Sequence, residues 1–163
     1  MEIINQIGDN HMLLSAGAAY LLAQIVKVII EIIMNRKFPG FRRLFTGNGG
    51  MPSSHSATVC ALATTAGIEC TLSSPIFALC MIFAIVVMTD ASGVRRETGT
   101  QAVIINQMMD QFKEMARDGF KQTPEFYQER LKELIGHTPS QVRAGAGLGV
   151  IIAVAMHFMF WHI

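Results

Sequence analysis

The sequence predicts an all-α integral membrane protein, about four transmembrane helices with a cytoplasmic helical insertion between the third and the fourth. Three observations predict it. Of the 163 residues, 51% are hydrophobic and 15% are charged, whereas a soluble domain carries about 25% charged residues. The apolar residues gather into runs, and the first run exceeds the roughly 20 residues that cross a hydrocarbon core. The charged residues gather between the runs, above all from about 91 to 137, a stretch with seven Lys/Arg and seven Asp/Glu. One domain, 1–163, accounts for this length.

The first span runs from about Met12 to Met34. The first eleven residues carry Glu2 and Asp9 and no Lys or Arg, so no secretory signal peptide is expected there. Within the span, Tyr20, Gln24, Lys27 and Glu31 fall on one helical stripe. Polar groups in a membrane are costly and usually face the bundle interior. Lys27 and Glu31 can form a structural pair, or Lys27 can serve a functional site.

The second span, about Ser54 to Leu72, is rich in Ala and Thr, so it is expected to face other helices more than lipid. Residues 70–74 make a tight hairpin into the third span, about Pro75 to Met88. The fourth runs from about Val142 to Trp161, with Trp161 placed like an interfacial anchor. Gly145 and Gly149 form a GxxxG pair for close helix packing, within the chain or between protomers. Between spans three and four, Ile104, Ile105, Met108, Met109, Phe112 and Met115 recur at helical spacing, and Gly119 ends that amphipathic helix. Thr123-Pro124 opens a second short helix that Gly136 stops.

Charge sets the expected orientation. No acidic residue occurs from Ile32 to Ile68, while Arg36, Lys37, Arg42 and Arg43 follow the first span. The positive-inside rule makes that loop cytoplasmic. The insertion is then cytoplasmic as well, and both termini lie outside. The net charge of +1 gives no basic excess for nucleic acid. Cys60, Cys70 and Cys80 have no CxxC spacing and read as buried small hydrophobes. No metal and no cofactor is expected.

This topology collects the unusual residues at one membrane face. Gly49-Gly50-Met51-Pro52-Ser53-Ser54-His55 opens the second span. Asp90 to Arg96 closes the third. His137-Thr138-Pro139 opens the fourth, and Arg36 follows the first. Helix N-termini present free N–H groups and a partial positive charge to an anion. Arginines add forked donors suited to phosphate. His137 is the candidate nucleophile toward phosphorus, and His55 the candidate proton donor to the leaving oxygen. Singly, each feature has a plainer reading. A histidine at a helix start is ordinarily a cap or surface residue, juxtamembrane basics set topology, and Thr138-x-x-Gln141 is a capping box. It is the convergence of all four that points to a site.

Three stretches resemble the type 2 phosphatidic acid phosphatase superfamily, which includes the vanadium-dependent haloperoxidases, and most closely its small divergent branch. They are Gly-Gly-Met-Pro-Ser-Ser-His-Ser-Ala at 49–57, Asp-Ala-Ser-Gly-Val-Arg-Arg-Glu-Thr-Gly-Thr-Gln-Ala at 90–102, and Gly-His-Thr-Pro-Ser-Gln-Val-Arg-Ala-Gly at 136–145. The resemblance implies His55 as proton donor and His137 as nucleophile. Lys27 and either Arg95 or Arg96 would be the phosphate-binding cations, with Ser53, Ser54 and Arg36 beside them. Ser54 stands where the superfamily usually has glycine. Gln141 stands where an acid usually orients the nucleophile, and Asp90 is a candidate to replace that acid in space. About 40 residues separate the arginines from His137, where the superfamily has a few.

The resemblance implies a metal-independent phosphatase acting on a lipid phosphate substrate, such as phosphatidate, phosphatidylglycerophosphate or an isoprenoid phosphate. Its site would lie at the cytoplasmic face of the cell membrane. Four spans where six are usual make a homodimer one way of completing the site. The alternatives are a non-catalytic binding or transport protein for anionic phospholipids, which the neutral Gln141 favours, and a purely structural scaffold.

Overall fold

The structure, a computed structural model, describes residues 1–35, 50–119, 131 and 136–161. Arg36, the rest of the loop to Gly49, and the expected short helix after Thr123 lie outside the described residues. The described residues are helical and contain no strand. The elements are α1 (Glu2–Gly8), α2 (His11–Asn35), α3 (Ser54–Cys70), α4 (Pro75–Ser92), α5 (Val94–Gly119) and α6 (Pro139–Met156), closed by a π-helical turn, His157–Trp161.

Among the described residues, three stretches are long and apolar enough to cross a membrane: His11–Met34, Pro75–Phe112 and Pro139–Trp161. The chain was expected to cross about four times, and the remaining candidate is α3. It is 17 residues long and dominated by Ala, Thr and Ser, so its own hydropathy is low. It sits at the centre, with α2, α4 and α6 all packed on it. The expectation that this segment faces other helices more than lipid is met: Ala57, Ala61 and Ala66 are fully buried.

The core is made of small side chains because lipid offers no hydrophobic drive between helices, so close van der Waals approach must hold them. Ala19 and Ala23 of α2, Ala57 and Ala61 of α3, and Ile152 and Ala153 of α6 form one cluster. Val59, Ala63 and Ala84 join α3 to α4 in another. Gly145 and Gly149 belong to the intrachain packing. A Cβ at either would fall 2.2 Å from a backbone oxygen, of Ser53 and Ala57 respectively, whereas Gly147 faces open space. A buried hydroxyl pair, Ser15 and Thr65 at 2.7 Å, adds a polar tie between α2 and α3.

The expected hairpin after Cys70 is present. The Ser74 N–H bonds the Thr71 carbonyl at 3.2 Å, and the Ser74 side chain caps α4 ahead of Pro75 at its first turn. The third apolar run extends further than expected, to Ser92, and one residue later α5 begins. At that end of the bundle lie the N-termini of α3 and α6 and the junction of α4 with α5. At the opposite end, His11 pairs with Glu69 and stacks on Trp161, ring centroids 4.2 Å apart. The sequence suggested no partner for His11, because both partners are remote in the chain.

Candidate active site

The site end is assembled by backbone contacts before any side chain enters. The Ser53 N–H donates to the Gln141 carbonyl at 3.1 Å, and the His137 N–H to the Ala91 carbonyl at 2.9 Å. These bonds hold the starts of α3 and α6 against each other and against the end of α4. Gly136 makes the second contact feasible. Its φ is +97°, and a Cβ there would lie 2.5 Å from the Arg96 nitrogen. Only glycine combines that backbone conformation with that approach.

Two N-caps then aim the helices. Ser53, fully buried, caps α3 by accepting from the Ser56 N–H at 3.4 Å and from the Ser56 hydroxyl at 3.0 Å. Ser54 is buried beside it, and His55 is exposed in the first turn. Thr138 caps α6 in a complete capping box with Gln141, as its spacing predicts.

The Gln141 amide has a second task. Its Oε1 accepts from the Thr138 N–H at 3.0 Å and lies 3.2 Å from Nδ1 of His137. A backbone N–H only donates, so the capping bond identifies this atom as the amide oxygen. The His137 Nδ1 facing that oxygen must then carry the proton, which leaves Nε2 with the lone pair. His137 is 8% exposed. Burial holds its pKa below the ordinary 6.5, reinforced by the nearby charges of Lys27 and His55 and opposed by hydrogen bonds with Gln141 and the Gly50 backbone. Burial favours the uncharged ring, and the bond to Gln141 favours the tautomer that leaves the lone pair on Nε2.

The other expected residues are placed as follows. The stem of Lys27 packs on Gly50, with its Cγ and Cδ 3.3 Å from where a Cβ would be. From there its charge reaches both His55 and His137. Gly50, with φ +86°, thus admits a lysine stem. Glu31, one turn along α2, acts electrostatically on Lys27, as their spacing suggests. Arg95 bears on His55 and is ion-paired with Asp90. Gln141 therefore holds His137, while Asp90 pairs with Arg95. Arg96 is exposed at the start of α5. Among the described residues, no three His, Cys, Asp or Glu side chains gather into a group that could hold a metal ion.

The sequence did not point to the carbonyls of Ala91 and Gln141 or to the Gly136 contact. Of these, only the glycine carries a residue-type signal. Two histidines, a lysine and an arginine thus lie near two helix N-termini at one end of an alanine-cored helical membrane bundle. Residues 8–152 match the divergent PAP2 family, and the chain belongs to that family. It is 42% identical over 154 residues to the uncharacterized membrane protein YuiD of Bacillus subtilis (strain 168), an alignment covering 93% of this chain and 96% of that protein. No solved structure matches it.

Proposed function

We propose that the protein is a lipid phosphate phosphatase that works through a phosphohistidine intermediate without a metal. The observation that carries this reading is the fixed tautomer of His137: a buried imidazole whose Nδ1–H is held by Gln141, beside a second histidine and a lysine. In the first step the Nε2 lone pair forms a bond to phosphorus as the bond to the lipid oxygen breaks. His55, when protonated, gives its proton to that leaving oxygen. In the second step the now neutral His55 takes a proton from water. The hydroxide attacks phosphorus, the P–N bond breaks, and inorganic phosphate leaves. Lys27, Arg95 and Arg96 balance the phosphoryl oxygens, and the N–H groups at the starts of α3 and α6 add to them.

In this reading α3 crosses the membrane within the shelter of its neighbours. The basic loop after α2 then puts the site at the cytoplasmic face. The substrate is a phosphomonoester or diphosphate of a membrane lipid.

The test is phosphate release from a panel of lipid phosphates by the purified full chain, with EDTA, with vanadate, and with His137→Ala in parallel. Release that survives EDTA, stops with vanadate and vanishes in the variant is the expected result. One observation favours a second reading, a binding or transport protein for anionic lipids. Gln141 is neutral and cannot offset the imidazolium charge that builds as His137 forms its bond to phosphorus. Lipid phosphate binding with no release from any lipid would move the assignment there.

A further inference from the structure

We propose that α5 is an interfacial helix whose bare apolar face lies in the bilayer surface on the side of the membrane that carries the site. This goes beyond the phosphatase reading and does not depend on it. The face consists of Val94, Ile104, Ile105, Met108, Phe112 and Met115. They are 66%, 51%, 46%, 62%, 63% and 67% exposed.

The face follows directly in the chain on a surface that the membrane covers. Only Gly93 separates α4 from α5, and two backbone bonds of that residue tie the helices together. The Gly93 N–H bonds the Thr89 carbonyl at 2.8 Å, and the Gly93 carbonyl accepts from the Glu97 N–H at 3.0 Å. At about 100° per residue, the six side chains fall within an arc of roughly 100° on α5, and Ile76, Leu79, Phe83 and Val86 are exposed on the α4 helix that precedes it. Between the two apolar stretches the chain carries Asp90, Arg95, Arg96, Glu97 and Gln101. The order along the helix is therefore apolar, polar, apolar, as for a helix that leaves the hydrocarbon and then lies along its edge. Gly93, with φ −106° and ψ −91°, departs from helical geometry and supplies the bend.

The opposite face of α5 is occupied by the chain itself. Gly99, Ala102 and Asn106 are buried there. The Asn106 side chain donates to the Leu131 carbonyl at 3.0 Å and accepts from the Leu131 N–H at 3.2 Å. Leu131 thus lies against the side of α5 that carries Asn106, opposite the apolar side. Large exposed apolar patches mark an interface. The bilayer fits better than a second copy, because the apolar run from 104 to 115 is shorter than two heptads and a coiled coil sustains several.

The full chain, with Cys60, Cys70 and Cys80 changed to alanine, would carry a single cysteine by Met108→Cys, Phe112→Cys or, as a control on the exposed flank, Gln107→Cys. Each is labelled with an environment-sensitive fluorophore in phosphatidylcholine vesicles containing doxyl lipid. Labels at 108 and 112 are expected to emit at shorter wavelength and to be quenched several-fold more than the label at 107. Water-like, unquenched emission at 108 and 112 would overturn the proposal. So would shielding without quenching together with disulfide cross-linking of Met108→Cys between chains, which would assign the face to a second copy. Wild-type chain photolabelled with a diazirine-bearing phosphatidylcholine tests the same point without substitutions. Adducts within 104–115 are expected, and adducts on 76–86 alone would refute it.

Discussion

In the proposed phosphatase, Gln141 is where the chemistry concentrates. One amide oxygen closes the α6 cap and fixes the His137 tautomer, so a single substitution separates orientation from charge. Gln141→Glu keeps both acceptor roles and adds a negative charge beside the developing imidazolium. Phosphate release is expected to rise on the order of tenfold, the equivalent of about 1.4 kcal/mol in the barrier. Unchanged or lower turnover would count against a catalytic His137. The same substitution should move the acid limb of the pH profile upward, since a carboxylate favours protonated His137. In the native chain the sign is opposite. Burial lowers the His137 pKa from 6.5, so the neutral nucleophile persists as the pH falls through 6.5. Activity should decline only at lower pH, which a pH-rate profile of phosphate release measures. By linkage, stability contributed by this neutral ring is present above the unfolded value and is lost as the pH falls through the lower folded one.

Among the elements, the α3–α6 contact is the tightest joint, because two glycines let the backbones touch. Gly149→Ala places a Cβ 2.2 Å from the Ala57 oxygen, and relief requires the helices to part. A loss of about 1–3 kcal/mol is expected, seen as a lower thermal midpoint of the detergent-purified protein. Gly147→Ala, which faces open space, should leave the midpoint unchanged or raise it slightly by helix propensity. Equal losses at the two positions would refute this packing. The GxxxG spacing was legible in the sequence, but its partner was not. Spacing gives a face, and only the assembled bundle says which helix fills it. The same holds for α3. Its Ala and Thr content announced a helix among helices, yet its central position depends on how α2, α4 and α6 arrange around it.

Across the whole molecule, the two ends of the bundle are built differently. One gathers helix N-termini, histidines and basic side chains. The other is closed by His11, Glu69 and Trp161, drawn from the starts and ends of α2, α3 and the C-terminal turn. Trp161 is the single tryptophan, so its fluorescence reports on that closure. His11→Ala removes the stacked ring and is expected to shift Trp161 emission to longer wavelength. An unchanged spectrum would show that the indole does not depend on the stack.

The sequence by itself determined the all-helical membrane character, the hairpin at 70–74 and the capping box at 138–141. These are local properties, set by composition, periodicity and side-chain reach over a few residues. Tertiary structure decided which groups meet. It put Lys27 on Gly50, paired Asp90 with Arg95, anchored His137 on the Ala91 carbonyl, and gave Gln141 the proton of His137 Nδ1. Two of these, Lys27 on Gly50 and His137 on the Ala91 carbonyl, join residues tens of positions apart through backbone that every residue type shares, so no pattern of residue types announces them, while the other two are side-chain choices among several neighbours within reach.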